Sequence, residues 1–464
     1  MSEFTDIVDN GMPDPRVLFK DVDPGARVIV AVSGGSDSVA LLLLASAWAH
    51  FDDVHVQAVT IDHGLRPEAA AEAAYVASLC EGLGIRHVTL AWEGIKPNSG
   101  LPEAARLARY QLLEEYAVDA GASYILTGHT ADDQVETVYM RLSREQAGGT
   151  GRGLSGMAGV TVMPKGVLLL RPLLDVSRQV LRDYLAQNSQ SWIEDPSNED
   201  VSYERVRARQ FLADKPQHKN NLHIYSKVMG RLRKHIAGEA ANFLRANVNV
   251  LPGLVYKLDL AQFEQTPEPI LVHVLQVLLG VVGGGQYLVS ASKLRPLLAG
   301  IRNPGELSKR QTLANCVLEF KTDSILLYRE ARNLPSFLLG PGDNAVWDGR
   351  LHINNESSSS LYVGPLDTAL LAEAEFDGEN QNSKRINVSP RAALQSLPVL
   401  RGDGDDLHFP MLFNKALPSG VSTRLTARAL AQFCPDFDEA LFNWLEELGQ
   451  LVKNSALLAR GVTD

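Results

Sequence analysis

The sequence predicts an α/β protein. A parallel sheet covered by helices comes first, then a mainly helical segment, then a smaller α+β segment. The prediction rests on two observations. β-Branched runs alternate with longer helical stretches through the first part of the chain, and each run ends in small or acidic residues. Later, helical periodicity gives way to hairpin-like runs and to a stretch rich in Pro, Gly, Asn and Ser over residues 331–361.

The first run, Val28 to Val32, meets a turn of small residues, Ser33 to Ser36, and a helical pattern begins at Asp37. Gly34 and Gly35 let the backbone approach a ligand closely, while the free N–H groups of the helix start and the hydroxyls of Ser33, Ser36 and Ser38 suit an anion. No Lys occurs between Lys20 and Lys96, which excludes the lysine-bearing phosphate loop of kinases and GTPases. Asp37 beside a phosphate calls for Mg²⁺ between the two charges, so the loop reads as a holder of metal-bound pyrophosphate.

A second strand, VHVQAVTI, ends in Asp62-His63-Gly64. A third, RHVTLAW, follows a helix over 68–82, and a fourth, SYILTG, follows a helix over 102–119. Ligands of such a Rossmann-like sheet bind beyond the carboxyl ends of its strands, which is where Ser33, Asp62, His63 and Gly128 fall. In the helix over 102–119, Arg106 and Arg109 are three residues apart and present two guanidinium groups to a phosphate or carboxylate; a solvated helix face explains them equally well. In TGHTADDQVET, residues 127–137, helical spacing crowds Asp132, Asp133 and Glu136 onto one turn beside His129. A cation, either Mg²⁺ or a substrate ammonium, is the simplest neutraliser, with Asp37 and Asp133 as the metal candidates.

A glycine-rich loop over 144–159 leads to a buried strand and an amphipathic helix in VLLLRPLLDVSRQVLRDYLAQ, and then to a turn centred on Asp195 to Asn198. Residues 201–235 carry nine basic side chains, among them Arg205, Arg207, Arg209, Lys227, Arg231, Arg233 and Lys234, against Glu204 and Asp214. With Tyr203, His218, His223 and Tyr225 interleaved, this strip looks like a contact surface for RNA phosphates. Residues 236–300 read as helices, 311–330 as a hairpin, and 331–361 as a boundary or exposed loops. The expected organisation is an N-terminal extension over 1–25, a catalytic domain over 26–215, a mainly helical domain over 216–332 and an α+β domain over 333–464.

Composition sets the bounds. The 464 residues are 45% hydrophobic and 21% charged, as in globular proteins. A net charge of −11 excludes a protein that coats nucleic acid with its whole surface, but not one with a local basic patch. Cys80, Cys316 and Cys434 form no zinc, CxxC or disulfide pattern and read as buried reduced thiols. Without a signal peptide or a span of sufficient apolar length, a cytoplasmic protein with no membrane partner is expected.

SGGSDS at 33–38 resembles the PP-loop of the N-type ATP pyrophosphatases, which cleave ATP between its α and β phosphates. As a set, SGGSDS, DHGLRPEA at 62–69, EAARLARY at 103–110, TGHTADDQVET, GLSGM at 153–157, RPLL at 171–174 and WIEDPSN with the arginines up to 209 resemble one branch, the tRNA(Ile)-lysidine synthases. The resemblance implies ATP and Mg²⁺ as cofactors. Its substrates are a tRNA(Ile) with a CAU anticodon and free L-lysine, and its product is lysidine, formed through an adenylated wobble cytidine.

Within that resemblance, Ser33, Gly34, Gly35, Ser36, Asp37, Ser38, Asp62, His63 and Gly128 are the ATP-binding residues, and Arg106 and Arg109 the phosphate partners. Asp37, His129, Asp132, Asp133 and Glu136 are catalytic, and the basic strip with residues 216–332 is the tRNA surface. The resemblance leaves room for a homodimer. The competing reading is another PP-loop tRNA-modifying enzyme such as a tRNA thiolase, which uses reactive cysteines.

Overall fold

A computed structural model describes residues 12–457 apart from 65–67, 95, 98, 146–151, 195–199, 252, 304–307, 367, 369–389, 403–406, 412–416, 428–429 and 431–433. The chain forms two compact units. The first comprises residues 1–147, 151–233 and 433–437, and the second residues 148–150, 234–432 and 438–464.

In the first unit, after the short helix α1 (Pro15–Leu18), strands β1 (Arg27–Ala31), β2 (His55–Asp62), β3 (Arg86–Ala91) and β4 (Tyr124–Thr127) alternate with helices α2 (Ser36–Asp52), α3 (Ala69–Gly82) and α4 (Leu101–Asp119). Helix α5 (Ala131–Glu145) follows β4, and strands β5 (Val160–Val162) and β6 (Leu168–Leu170) precede α6 (Arg178–Gln187) and α7 (Glu204–Ala213). Helix α8 (Pro216–Asn247) contributes its residues up to Arg233 to this unit.

The strand order is β5-β6-β4-β1-β2-β3, with a short strand Cys434–Pro435 outside β5. β6, β4, β1, β2 and β3 are parallel, whereas β5 and Cys434–Pro435 run antiparallel to their neighbours. Val28 pairs with Val56 on one side and Tyr124 on the other, so β1 is central, and Val28, Ile29 and Val30 are fully buried as the unbroken β-branched run predicts. The apolar helix α2 buries Leu41, Leu42 and Leu44 between the sheet and α6. Because the chain leaves β1 toward β2 and later returns to pair β4 on β1's other side, the order reverses there. A crevice opens at such a switch point.

In the second unit, strands β7 (Val248–Leu251), β8 (Val255–Asp259), β9 (Arg310–Leu313), β10 (Cys316–Phe320) and β11 (Ser324–Arg329) form an antiparallel sheet in the order β7-β8-β11-β10-β9. Helices α9 (Glu268–Gly283) and α10 (Ala291–Arg302) share its core, and α9 is buried along almost its whole length. The β10–β11 hairpin is the one expected over 311–330. The reading of 236–300 as helix is corrected by the β7–β8 hairpin. Gly253, at φ +77°, serves its turn, and Val255 and Leu258 are buried against neighbouring helices and strands.

The loops expected over 331–361 are likewise corrected by strands β12 (Phe337–Leu339), β13 (Asn344–Trp347), β14 (Leu351–Asn355) and β15 (Leu361–Pro365). Together with β16 (Pro398–Arg401), β17 (Leu407–His408) and β18 (Val421–Leu425) they build two small antiparallel sheets around Trp347 and Ile353. A helix over Glu439–Leu457 follows. Among the described residues, no helix is long and apolar enough to cross a membrane.

Candidate active site

The turn after β1 is closed by its own hydroxyls. The Ser33 amide donates to Ser38 Oγ at 3.1 Å, the Ser33 and Ser38 hydroxyls lie 3.2 Å apart, and Ser38 Oγ donates to the Gly35 carbonyl at 3.0 Å. Gly34 takes φ +87°, and a Cβ there would lie 2.8 Å from Ile193 Cδ1. Gly35 caps α2 without a side-chain bond, so the first N–H groups of α2 are left to meet a ligand. Gly128, at the end of β4, packs against the same helix start: a Cβ would lie 2.9 Å from the Asp37 carbonyl carbon. The reversal of strand order thus places the loop and the start of α5 side by side.

Thr130 and Asp133 cap α5 reciprocally. Asp133 Oδ2 accepts from the Thr130 amide at 2.8 Å and its hydroxyl at 2.9 Å, and the Asp133 amide donates to Thr130 Oγ1 at 3.4 Å. The structure brings Asp37, Asp132, Asp133 and Glu136 together as predicted, but around guanidinium groups. Arg178, the first residue of α6, donates from Nε to Asp37 at 2.9 Å and from Nη2 to Asp133 at 3.1 Å, and lies 3.6 Å from Glu136. Its own amide donates to Asp132 at 2.8 Å. Arg205 and Arg209 approach Glu136 at 2.9 and 2.8 Å, and Lys219 Nζ reaches Asp132 at 3.4 Å.

Burial pushes the Asp37 carboxyl above its ordinary range despite Arg178. Burial acts the same way on Asp133, but Arg178, Arg205 and the Thr130 amide together bring it below. Arg178 itself is penalised by burial, yet Asp37 and Asp133 hold it firmly protonated.

Beside the acids lies a cluster of arginines. Arg106 and Arg109 of α4 flank the Tyr110 ring at 5.2 and 5.4 Å, and Arg171 donates from Nη1 to the Ala158 carbonyl at 2.8 Å and to Thr161 Oγ1 at 3.0 Å. Neither Arg106 nor Arg109 forms an ion pair among the described residues, and Arg109 Nε and Arg171 Nε have no hydrogen-bond partner there. Burial lowers the pKa of both Arg109 and Arg171. Burial and then Arg171 push the His129 imidazole down to about 3, so it is neutral at physiological pH; its Nδ1 lies 3.0 Å from Thr127 Oγ1. On the same edge, Asp62 accepts from the Gly64 amide at 2.8 Å, and the pKa of His63 is lowered by burial and by Arg109.

The remaining predicted cations are dispersed. Arg207 donates to the Val201 and Ser202 carbonyls, Lys227 pairs with Asp175 at 2.9 Å, Arg231 is exposed, and Arg233 donates to Ser155 Oγ at 3.1 Å. Lys234, in the second unit, lies 3.8 Å from Glu439. Residues 65–67, 146–151 of the glycine loop and 195–199 lie outside the described residues.

Sequence reasoning missed Arg178 and Arg171. A signal for Arg178 exists. It opens α6 behind the cap Ser177 with no acid in the first turn, where a cation opposes the helix dipole unless carboxylates from elsewhere meet it.

The donor set does not fit a Mg²⁺ ion shared by Asp37 and Asp133. Both Asp133 oxygens already accept from Thr130 and Arg178, and the Arg178 guanidinium bridges the two carboxylates. Among the described residues, Asp37 Oδ1 takes the Ser36 hydroxyl at 3.0 Å and meets no cation. Among the described residues no group of three or more His, Cys, Asp and Glu is arranged to hold a metal. Cys80 and Cys316 are buried, and burial pushes their thiols up to about 11 and about 12, which suppresses the thiolate.

A glycine–serine loop between the central strand and its helix, beside an acid-bearing helix across the switch point, defines an ATP-utilising PP-loop enzyme, and the PP-loop domain model matches residues 14–215. The chain is 38% identical over 439 residues to the tRNA(Ile)-lysidine synthase of Mesorhizobium japonicum, covering 93% of this chain and 94% of that one. It is 35% identical over 460 residues to the tRNA(Ile)-lysidine synthase of Bartonella tribocorum, covering 87% and 91%. The chain belongs to the tRNA(Ile)-lysidine synthase family. Among solved structures it is similar to the U34-tRNA thiolase NcsA from Methanococcus maripaludis with its [4Fe-4S] cluster, at a TM-score of 0.39 and 15% identity over 48% of this chain and 80% of that one.

Proposed function

We propose that this chain joins free L-lysine to C2 of the wobble cytidine in a tRNA(Ile) with a CAU anticodon. In the first step the cytidine 2-oxygen attacks the α-phosphorus of ATP and pyrophosphate leaves. In the second, the side-chain amine of lysine attacks C2, the amine loses a proton, and AMP departs with the oxygen. The observation that carries the reading is the juxtaposition of two charge environments at one switch point: a hydroxyl-lined loop and arginines with unsatisfied Nε groups for phosphates, beside clustered carboxylates for an amine.

The Ser33–Ser38 loop and the α2 N-terminus hold the pyrophosphate. Arg106 and Arg109, which form no ion pair among the described residues, take up phosphate charge together with Arg171 next to the neutral His129. Lys219 on Asp132 supports the same surface as a seat for the lysine ammonium, because a primary ammonium already sits at one of its carboxylates. A carboxylate there takes the amine's proton and makes it nucleophilic. Mg²⁺ would enter with ATP, Asp37 would be the residue that holds it, and its charge would offset that of the phosphates. Arg205 and Arg209 act inward, through Glu136, while Arg207, Lys227, Arg231, Arg233 and Lys234 and the segment 216–332 contribute the tRNA surface. The reading places the protein in the cytoplasm, and homodimer assembly belongs to it as a further expectation. The high thiol pKa values of Cys80 and Cys316 favour this reaction over sulfur transfer.

The test is incorporation of radiolabelled lysine into a CAU-anticodon isoleucine tRNA transcript with ATP and Mg²⁺, comparing the wild type with Asp37→Ala. Label that requires ATP and is lost in the variant is expected. Absence of label in the wild type, with tRNA-dependent AMP formation retained, overturns the lysine acceptor.

A further inference from the structure

Beyond the acid cluster, helices α5, α7 and the start of α8 enclose a groove of about 420 Å³ that has no place in the reaction just described. Tyr139, Leu142, Phe211, Leu222 and Tyr225 supply its apolar wall, and His218 and Asn221 its polar edge. The Tyr139 and Phe211 rings stack, with centroids 5.0 Å apart and planes 20° from parallel. Phe211 is nevertheless 45% exposed and Tyr225 37% exposed, so aromatic surface is presented to solvent. Lys215 places its ammonium 3.7 Å from the Phe211 ring centroid, and no carboxylate lines the groove among the described residues.

Position narrows the occupant. Tyr139 follows Glu136 by three residues on α5, and Leu212 follows Arg209 by three on α7, so both lie on the faces that carry the Arg209–Glu136 bond. The groove therefore begins about 5 Å, roughly one helical turn, beyond the acid cluster. A flat apolar ligand attached to an anionic backbone suits aromatic faces beside an ammonium, and an unstacked nucleobase is such a ligand. A flexible lysine substrate has no use for stacked rings.

We propose that this groove is a nucleobase-binding subsite, which receives the adenine following the reactive cytidine and so holds the anticodon loop open. The proposal rests on the tRNA reading above. Base–aromatic stacking contributes about 1–3 kcal/mol per base, so its loss raises the KM for tRNA by about 5- to 150-fold, with kcat at saturating tRNA changed less than about twofold.

The experiment uses the full chain and a CAU-anticodon transcript with 2-aminopurine in place of that adenine. Wild type is expected to quench its fluorescence on binding. Phe211→Leu, which keeps apolar bulk but removes the π-face, abolishes the quenching and raises KM, whereas Phe211→Trp keeps both near wild type; thermal melting verifies that each variant is folded. Unchanged quenching and KM in a folded Phe211→Leu protein, while the wild type incorporates lysine, overturns the subsite and leaves the proposed function intact. Weakened self-association of Phe211→Leu in sedimentation, with RNA binding unaltered, also overturns it and assigns the groove to a second copy of the chain. If the wild type incorporates no lysine, the proposed function fails by itself, and loss or retention of quenching in Phe211→Leu still decides for or against the groove.

Discussion

Replacing Arg178 by Ala tests whether the carboxylates of the site are held by a guanidinium. The wild-type side chain bridges Asp37 at 2.9 Å and Asp133 at 3.1 Å, and it and Asp37 are each only about one-fifth exposed. After its removal Glu136 keeps Arg205 and Arg209, and Asp133 keeps Thr130, but Asp37 retains only the Ser36 hydroxyl. Breaking a buried pair by deleting one partner costs about 3–5 kcal/mol, and residual solvent contact together with the surviving arginines puts this case near about 3 kcal/mol. For a unit of this size that corresponds to a melting shift of about 6–12 °C near neutral pH.

The sign with pH follows from the carboxyls. Asp133 lies below its ordinary value, so its contribution is present above that value and is lost as pH falls through the depressed one. In the variant both carboxyls rise, and their cost is relieved as pH falls. The deficit is therefore largest at pH 7–8 and shrinks toward pH 4. Calorimetry of wild type, Arg178→Ala, Asp37→Asn and the double variant at several pH values measures this, with strong coupling expected between positions 178 and 37. A shift under about 2 °C that does not vary with pH refutes the network.

Further outcomes follow from the same geometry. Gly128→Ala forces a methyl to within 2.9 Å of the Asp37 backbone, so it is expected to cost about 1–3 kcal/mol and to weaken ATP binding in equilibrium dialysis, with tRNA binding retained. The His223 hydrogen bond, with Lys227, holds Asp175 down at about 2; its contribution is present above the ordinary carboxylate range and lost as pH falls toward 2. Because Asp175 is 67% exposed, Asp175→Asn is expected to cost less than about 1 kcal/mol near neutrality in denaturant titrations, less still in high salt. Native protein exposed to iodoacetamide at pH 8 is expected to leave Cys80 and Cys316 unmodified, as peptide mass spectrometry will show.

Much of the first unit was legible because its signals are local. The apolar run Val28–Val32 and the small-residue turn after it specify a central strand and a ligand loop with no long-range information. The spacing of Asp132, Asp133 and Glu136 revealed the acid cluster for the same reason. What neutralises that cluster was not legible, because Arg178 joins Asp37 from 141 residues away and Arg205 reaches Glu136 from 69 away. In one dimension Arg205 and Arg209 belong to a basic strip that suggests an outward face, and folding turns them inward. In the second unit the hairpin signal was present in Val248–Asp259, where apolar and polar residues alternate around Pro252-Gly253, but long helical runs on either side masked it.

The strand Cys434–Pro435 pairs with β5 at the margin of the catalytic sheet, and Asp436 beside it acts electrostatically on Arg171. During synthesis, the last strand of this sheet leaves the ribosome long after Val162. At about 5–20 residues per second the interval is roughly 15–55 s. Through that interval β5 presents an open edge, and the arginine cluster lacks one of the charges that set its potential. Maturation of the site is thereby coupled to synthesis through residue 435, and a ribosome that stalls within the second unit holds a chain whose loop and acids are already made but whose catalytic sheet is still unfinished.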